Sequence, residues 1–421
     1  MLARSSPASV DSFRAAQWRI LFVTMFCYLF FYTGRQTFGF AIPGIEEELG
    51  ISKSDLGWIS AAMLWAYAVG QWINGNLGDK FGGRRMMTIG AFASCGLNWV
   101  TSFGSSAMSL FIPWTANGFA QSMGWAPGSR VLANWWSAQE RGKVYGLYVF
   151  AAGMSSVLAY TTSTAIIALE MDWRWIFRLP VLLLLFGGLA YYLLVRDRPE
   201  QLGFASLTYE GEDDGVTASA PVAEAEETSW QRYAHVLSNP RFLIASLAIG
   251  FQSLARYGLL VWVPVHLLGT DWRNSETMWI GIALPVGMAL GAIASGWISD
   301  NVFHSNRSRA ISLFMTLAAV VCGVMFYLPK EHPQAIVLLF LAGFFAYGPQ
   351  SAFWALCPDL LGHRRAGTGT GVMNTFAYVF AGMGEPFIGG MIERSDNTGL
   401  VFAIVAISCA LSAVIAPLIR R

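Results

Sequence analysis

The sequence predicts an all-α membrane protein of twelve transmembrane helices, arranged as two pseudosymmetric six-helix halves. Three observations lead there. Hydrophobic residues make up 55% of the 421-residue chain and charged residues only 13%, roughly half the share of about 25% usual in soluble proteins; that is too little charge to coat a water-facing surface. Apolar runs near the length that crosses a hydrocarbon core, about 20 residues, can be counted twelve times. Two features of the first half return in the second at one offset of 221 residues: Gly75 to Asp79 (GNLGD) as Gly296 to Asp300 (GWISD), and Arg35 as Arg256.

The expected spans are residues 17 to 40, 55 to 77, 85 to 103, 108 to 135, 142 to 168, 175 to 195, 241 to 268, 277 to 299, 309 to 328, 334 to 357, 366 to 392 and 398 to 418. A transmembrane barrel would instead show segments of about 10 residues with alternating hydrophobicity. The first apolar run begins near Trp18 and is too long for a cleaved leader, so it is expected to remain as a membrane helix. With 43 glycines the helices can approach closely, and the 17 tryptophans suit the interfaces. Between spans six and seven the stretch YEGEDDGVTASAPVAEAEETS is acidic, rich in Ala and Ser and poor in large apolar residues; it cannot bury enough surface to offset chain entropy and reads as a tether. The expected organisation is a first bundle at 1–195, a linker at 196–240 and a second bundle at 241–421.

When loops are assigned alternately to two sides, eighteen Lys and Arg fall on the side of both termini and six on the other, leaving Arg35, Arg130 and Arg256 inside spans. The positive-inside rule then puts both termini in the cytoplasm, and an inner or plasma membrane is where such a helical bundle fits. A net charge of +1 offers nucleic acid no basic surface. The five cysteines fall singly in apolar runs, and the five histidines have no metal-ligand spacing. GTGTG at Gly367 to Gly371 has no strand before it and no Lys after it, so it is not a phosphate loop. No cofactor, metal or enzymatic activity is expected, and the chain is expected to act as a monomer.

The arginines carry the chemistry. An arginine at mid-bilayer costs at least about 2.5 to 3.5 kcal/mol on insertion scales, so it is kept there with partners or a task. Arg35 and Arg256 lie well inside equivalent spans, one from each half. Duplicated halves place a ligand between them near mid-membrane, where two guanidiniums can present forked donors to phosphoryl oxygens. A small anion is the substrate class they imply. Arg130, in WAPGSRVLANWW, lies nearer a span end, where it could pair with Asp79 or snorkel to the surface.

GNLGDKFGGRR, Gly75 to Arg85, resembles the signature loop of the major facilitator superfamily between its second and third helices. The resemblance implies a gating role for Gly75, Asp79, Lys80, Arg84 and Arg85, with Arg130 joining them as the candidate partner of Asp79 and Asp300 as the repeat counterpart of Asp79. Four longer stretches narrow the family: YTGRQTFGFAIP, SDLGWISAAMLWAYAVGQWINGNLGD, QSMGWAPGSRVLANWWSAQERG and ARYGLLVWVPVHL. These look like the organophosphate:phosphate antiporters. The resemblance implies that Arg35 and Arg256 bind phosphate, and it matches family motif positions to Tyr67 and Trp125. Tyr32 and Tyr257, beside the arginines, join them as candidates.

Departures from the family also matter. Glycerol-phosphate members have lysines where this chain has Gln36 and Gln71, and a histidine where it has Ala152. Glu385, in MGEPFIGGM, is a membrane carboxylate that must be paired, protonated or functional. It could neutralise an arginine, carry a coupling proton or face an ammonium group, and the last fits a zwitterionic phosphonate. The resemblance implies a secondary carrier for an organic phosphate or phosphonate, coupled to inorganic phosphate or protons. A membrane sensor of a phosphorylated ligand is the alternative.

Overall fold

The computed structural model describes residues 7–136, 138–204, 229–269, 278–304, 306–329, 332–361 and 363–419. Among them the chain folds entirely into helices, in an order that matches the twelve expected spans. The first six rods are α1 (Pro7–Leu29) with α2 (Phe38–Leu49), α3 (Lys53–Phe81), α4 (Gly83–Thr101), α5 (Ala107–Gln121) with α6 (Trp125–Trp135), α7 (Ala138–Ala168) and α8 (Trp175–Leu194). A short helix α9 (Ser229–Ser238) lies in the linker. The second six are α10 (Pro240–Leu268), a turn of 3₁₀ helix with α11 (Ala283–Asn301), α12 (Arg307–Tyr327), α13 (Ala335–Tyr347) with α14 (Gln350–Leu361), α15 (His363–Ser395) and α16 (Leu400–Ile415).

Among the described residues, eight stretches are long and apolar enough to cross a membrane. The other four rods, α3, α4, the α5–α6 pair and α15, carry the polar groups discussed below. Most of the acidic linker, 205–228, lies outside the described residues. We call the side bearing the α3–α4 turn and the linker the linker face, and the other the far face.

Pseudosymmetry shows in packing as well as in sequence. In the first half α3 lies against α5 so closely that a Cβ on Gly118 would sit 2.1 Å from the Met63 carbonyl oxygen. In the second half the equivalent pair, α11 and α13, meets through Gly287, Gly291 and Gly343, each within 2.1 Å of backbone oxygen by the same measure. Small residues let backbones touch where lipid offers no hydrophobic drive to hold helices together. Both fourth rods are interrupted at equivalent places, between α5 and α6 and between α13 and α14.

The halves meet along a seam that is closed toward the far face. A Cβ on Gly57 of α3 would lie 2.7 Å from the Glu385 carbonyl oxygen of α15, and one on Gly389 would lie 2.4 Å from that of Lys53. Gly39 of α2 comes equally close to Val261 of α10, at 2.3 Å. Trp65 donates to the Val379 carbonyl across the seam at 3.3 Å, and the Ser54 amide donates to Glu393 at 3.1 Å. At the rim, Lys53 pairs with Glu46, and Arg174 pairs with Glu48 at 2.6 Å.

Candidate functional site

The first rod breaks where Arg35 begins. Residues Phe31–Gly34 form one 3₁₀ turn between α1 and α2, so the i→i−4 ladder is interrupted and the Gly34 carbonyl is left for side chains. Two buried amides take it: Asn117 Nδ2 at 2.7 Å and Asn98 Nδ2 at 3.0 Å. Ser94 links the pair, donating to Asn117 at 2.6 Å and accepting from Gln121 at 2.7 Å. A Cβ at Gly34 would fall 2.5 Å from Gln121 Nε2 and 2.7 Å from Ser94 Oγ, so a larger residue would displace this cluster. This polar cluster is buried in the first half and fixes the bend that turns Arg35 toward the seam. Arg256 sits in the unbroken helix α10.

The two guanidiniums share their surroundings. Arg35 lies over the ring of Tyr32 at 4.0 Å and of Tyr67 at 4.8 Å; Arg256 lies over Tyr347 at 4.4 Å and Tyr257 at 5.1 Å. The same three tyrosines, Tyr32, Tyr257 and Tyr378, lie near both. Arg35 donates a long hydrogen bond, 3.5 Å, to the Tyr378 hydroxyl, and Tyr257 donates to the same hydroxyl at 3.1 Å. Neither arginine forms an ion pair among the described residues, and the Nε of each has no hydrogen-bond partner. Exposures of 8% and 6% show that the pair is held in a nearly water-free cage.

Aromatic faces hold a cation without neutralising it. Guanidinium donors left unspent in a low-dielectric site favour an anion with several oxygens. A cavity of about 20 Å³ beside Arg35 is lined by Gln36, Ser60, Trp114 and Tyr257 among others. That is room for about one water, so a larger ligand enters only if the helices part. The Gln36 amide is buried there with neither polar atom bonded, as is Trp114 Nε1.

The other expected residues are distributed as follows. Tyr32, Tyr67, Tyr257 and Gln36 surround the arginines. Trp125 stacks on Tyr148 at 4.7 Å and abuts Tyr28, forming a wall on the linker-face side of Tyr32. Gln71 donates to the Ser122 carbonyl at 3.5 Å and is turned into the first half. Glu385 is fully buried but bonds Trp262 Nε1 at 2.9 Å and makes no ion pair with either arginine. Tyr378 and Tyr347 were absent from the expected set; nothing in the sequence marks them among 14 tyrosines and 29 phenylalanines.

Of the expected gating residues, the side chains of Gly75, Asp79 and Lys80 lie outside the described residues. Arg84 donates its amide to Asp197 at 2.8 Å and its Nε to the Tyr192 carbonyl at 2.7 Å, clamping the loop to the end of α8. Arg85 is exposed and Arg130 half-buried. Asp300 pairs with Arg307 within the second half.

Residues 24–385 match the family model of the Major Facilitator Superfamily. The chain belongs to that superfamily. Within it the match to the organophosphate:phosphate antiporters holds: the chain is 30% identical over 397 residues to a glycerol-3-phosphate transporter of Bacillus subtilis, covering 92% of this chain and 88% of the relative. It is 28% identical to a probable hexose phosphate transport protein of Chlamydia pneumoniae, with 92% and 88% covered. It is 26% identical to the membrane sensor protein UhpC of Salmonella typhimurium, with 96% and 91% covered. A bacterial homologue of the lysosomal transporter Spinster, solved in an inward-facing, unoccupied conformation, shares the major facilitator fold at a TM-score of 0.74 and 14% identity, with 96% and 95% covered. The relatives are membrane transport proteins and a sensor, not enzymes.

Proposed function

We propose that this major facilitator protein is a secondary carrier that binds a small organic phosphate or phosphonate between Arg35 and Arg256 and exchanges it for inorganic phosphate. The supporting observation is the shared cage: two unpaired guanidiniums, one from each half, around the same three tyrosines. Because the arginines come from opposite halves, an anion between them lowers the repulsion that opposes closing the halves. That is the differential affinity alternating access requires. The same fork fits inorganic phosphate, so exchange follows from one site. Residues 1–195 and 241–421 act as the two moving bodies. Both termini face the cytoplasm, which makes the closed far face the external one.

The test is exchange of labelled phosphate by the reconstituted protein. Wild type should exchange, with glycerol 3-phosphate competing, and Arg35→Lys and Arg256→Lys should each abolish exchange, because an ammonium cannot reproduce the fork. Wild-type exchange in both variants would overturn the assignment. The relatedness to a sensor supports one further reading, ligand binding that signals to a partner. Binding of phosphate without flux, together with a required membrane partner, would favour it.

A further inference from the structure

We infer that Glu385 is a proton-binding site built into the closed seam, loaded together with the phosphoryl substrate, so that substrate and proton move as a unit. The inference rests on the two-arginine carrier proposed above and specifies its coupling ion.

Glu385 is 0% exposed and sits where the two halves touch by backbone, with its carbonyl against Gly57. Trp262 of α10 donates to Oε2 at 2.9 Å, Ser60 of α3 flanks the carboxyl, and Oε1 has no hydrogen-bond partner. A buried carboxyl so sparsely bonded is stable in its neutral form and costly in its charged form. The seam thus closes most readily over a protonated group.

Among the described residues no neighbour supplies a counter-charge. On α3, Lys53 is taken by Glu46, Asp55 accepts from Ser52 at 3.0 Å, and Tyr67 lies below at the level of the arginines. On α10, His266 bonds Thr398 at 2.9 Å, while Arg256 and Tyr257 belong to the cage. On α15, Glu393 accepts from the Ser54 amide and Tyr378 from Tyr257, while Arg394 stands at the far-face end of the helix.

The spacing sets the coupling. Trp262 is six residues beyond Arg256, and Glu385 seven beyond Tyr378, so the carboxyl stands about 10 Å from the cage along the helix axes at about 1.5 Å per residue. With the cage empty, two guanidiniums at that distance favour the carboxylate. A dianionic substrate cancels them. At an effective dielectric of about 20, removing two charges about 10 Å away changes proton affinity on the order of a hundredfold. Substrate therefore recruits the proton, and the proton recruits substrate by the same factor. Phosphate exchange and proton-coupled net uptake then become two modes of one carrier.

Two measurements on the full-length protein test this. Infrared spectroscopy at neutral pH should show a protonated carboxyl band that grows on adding phosphate and is missing in Glu385→Gln; absence of that band in the wild type with and without phosphate, or its persistence in the variant, overturns the proposal. In liposomes, an acid-outside gradient should drive wild-type phosphate accumulation with dye-reported proton entry, and both should be lost in Glu385→Gln. Unaltered gradient-driven accumulation in the variant likewise overturns it. A wild type that shows the band but does not exchange phosphate points instead to failure of the carrier reading.

Discussion

The Tyr257 hydroxyl donates to the Tyr378 hydroxyl at 3.1 Å, joining α10 to α15 at the level of the arginines. Tyr378 also accepts from Arg35 Nη1 at 3.5 Å, so one phenol links a residue of the first half to two rods of the second. A phenol orients a guanidinium but leaves its charge intact, whereas a carboxylate there would cancel it. The long bond to Arg35 is easily exchanged for a shorter, charge-assisted one to a phosphoryl oxygen.

Tyr378→Phe should therefore weaken phosphate binding while keeping the fold. A neutral hydrogen bond is worth about 1 kcal/mol net, or about fivefold in affinity. Tyr378→Ala also removes the ring that meets Tyr67 at 4.5 Å and should weaken binding further. Thermal shift titrations with phosphate read both effects, since a ligand of the folded state raises its apparent stability. Identical titration midpoints in wild type and both variants would remove Tyr378 from the site.

The bend before Arg35 depends on two amides bonded to the Gly34 carbonyl. Asn117→Ala removes the shorter of them, 2.7 Å, and also deprives Ser94 of its acceptor. Leaving buried polar groups unsatisfied costs about 1 to 3 kcal/mol. Asn117→Ala should lower the denaturation midpoint and also weaken phosphate binding, because Arg35 is the next residue after the bend. Stability loss with wild-type affinity would show that the bend does not set the arginine.

The helical rods and the arginine pair were legible in the sequence because lipid imposes long apolar runs and makes every charge within them conspicuous. The break at Phe31–Gly34 was not, since no proline marks it; its cause is a set of distant amides on α4 and α5 that only folding brings to Gly34. Tyr378 and Tyr347 were hidden for a similar reason, as aromatic residues are common in membrane helices whatever their task. Glu385 was legible as a costly group. Its place about two turns beyond the arginines, against Trp262, depends on how α10 and α15 are aligned, which no residue pattern states.

Asp197 organises the loop at the end of α3. Its carboxylate accepts from the Arg84 amide, its carbonyl accepts from Asn134 at 2.9 Å, and Gly82, at φ 87°, leaves room that a Cβ would fill at 2.6 Å from Oδ2. Asp197→Ala should lower the melting temperature by the equivalent of about 1.5 to 3 kcal/mol for a hydrogen bond to a charged group. Gly82→Ala should also destabilise, from positive φ as well as contact. Phosphate affinity should hold in both variants, since the loop is remote from the cage; a matching loss of affinity would tie the loop to the site itself.

Gly57 and Gly118 separate seam closure from stability. Both belong to close backbone contacts, but Gly118 meets Met63 within the first half, whereas Gly57 meets Glu385 and Pro386 of the other half at 2.7 Å. A methyl at Gly118 opposes packing in every state of the carrier. A methyl at Gly57 opposes only the state with the far face shut. Overpacking costs about 1 to 3 kcal/mol, enough to shift a two-state balance on the order of tenfold to a hundredfold. The reporter is Ser60→Cys, buried in the closed seam, read against five native cysteines that are all buried. In that background Gly57→Ala should raise labelling by an impermeant maleimide from the far face and leave the melting temperature nearly unchanged. Gly118→Ala should lower the melting temperature and leave labelling as it was. Equal labelling in the two variants would mean that the Gly57 contact does not hold the seam.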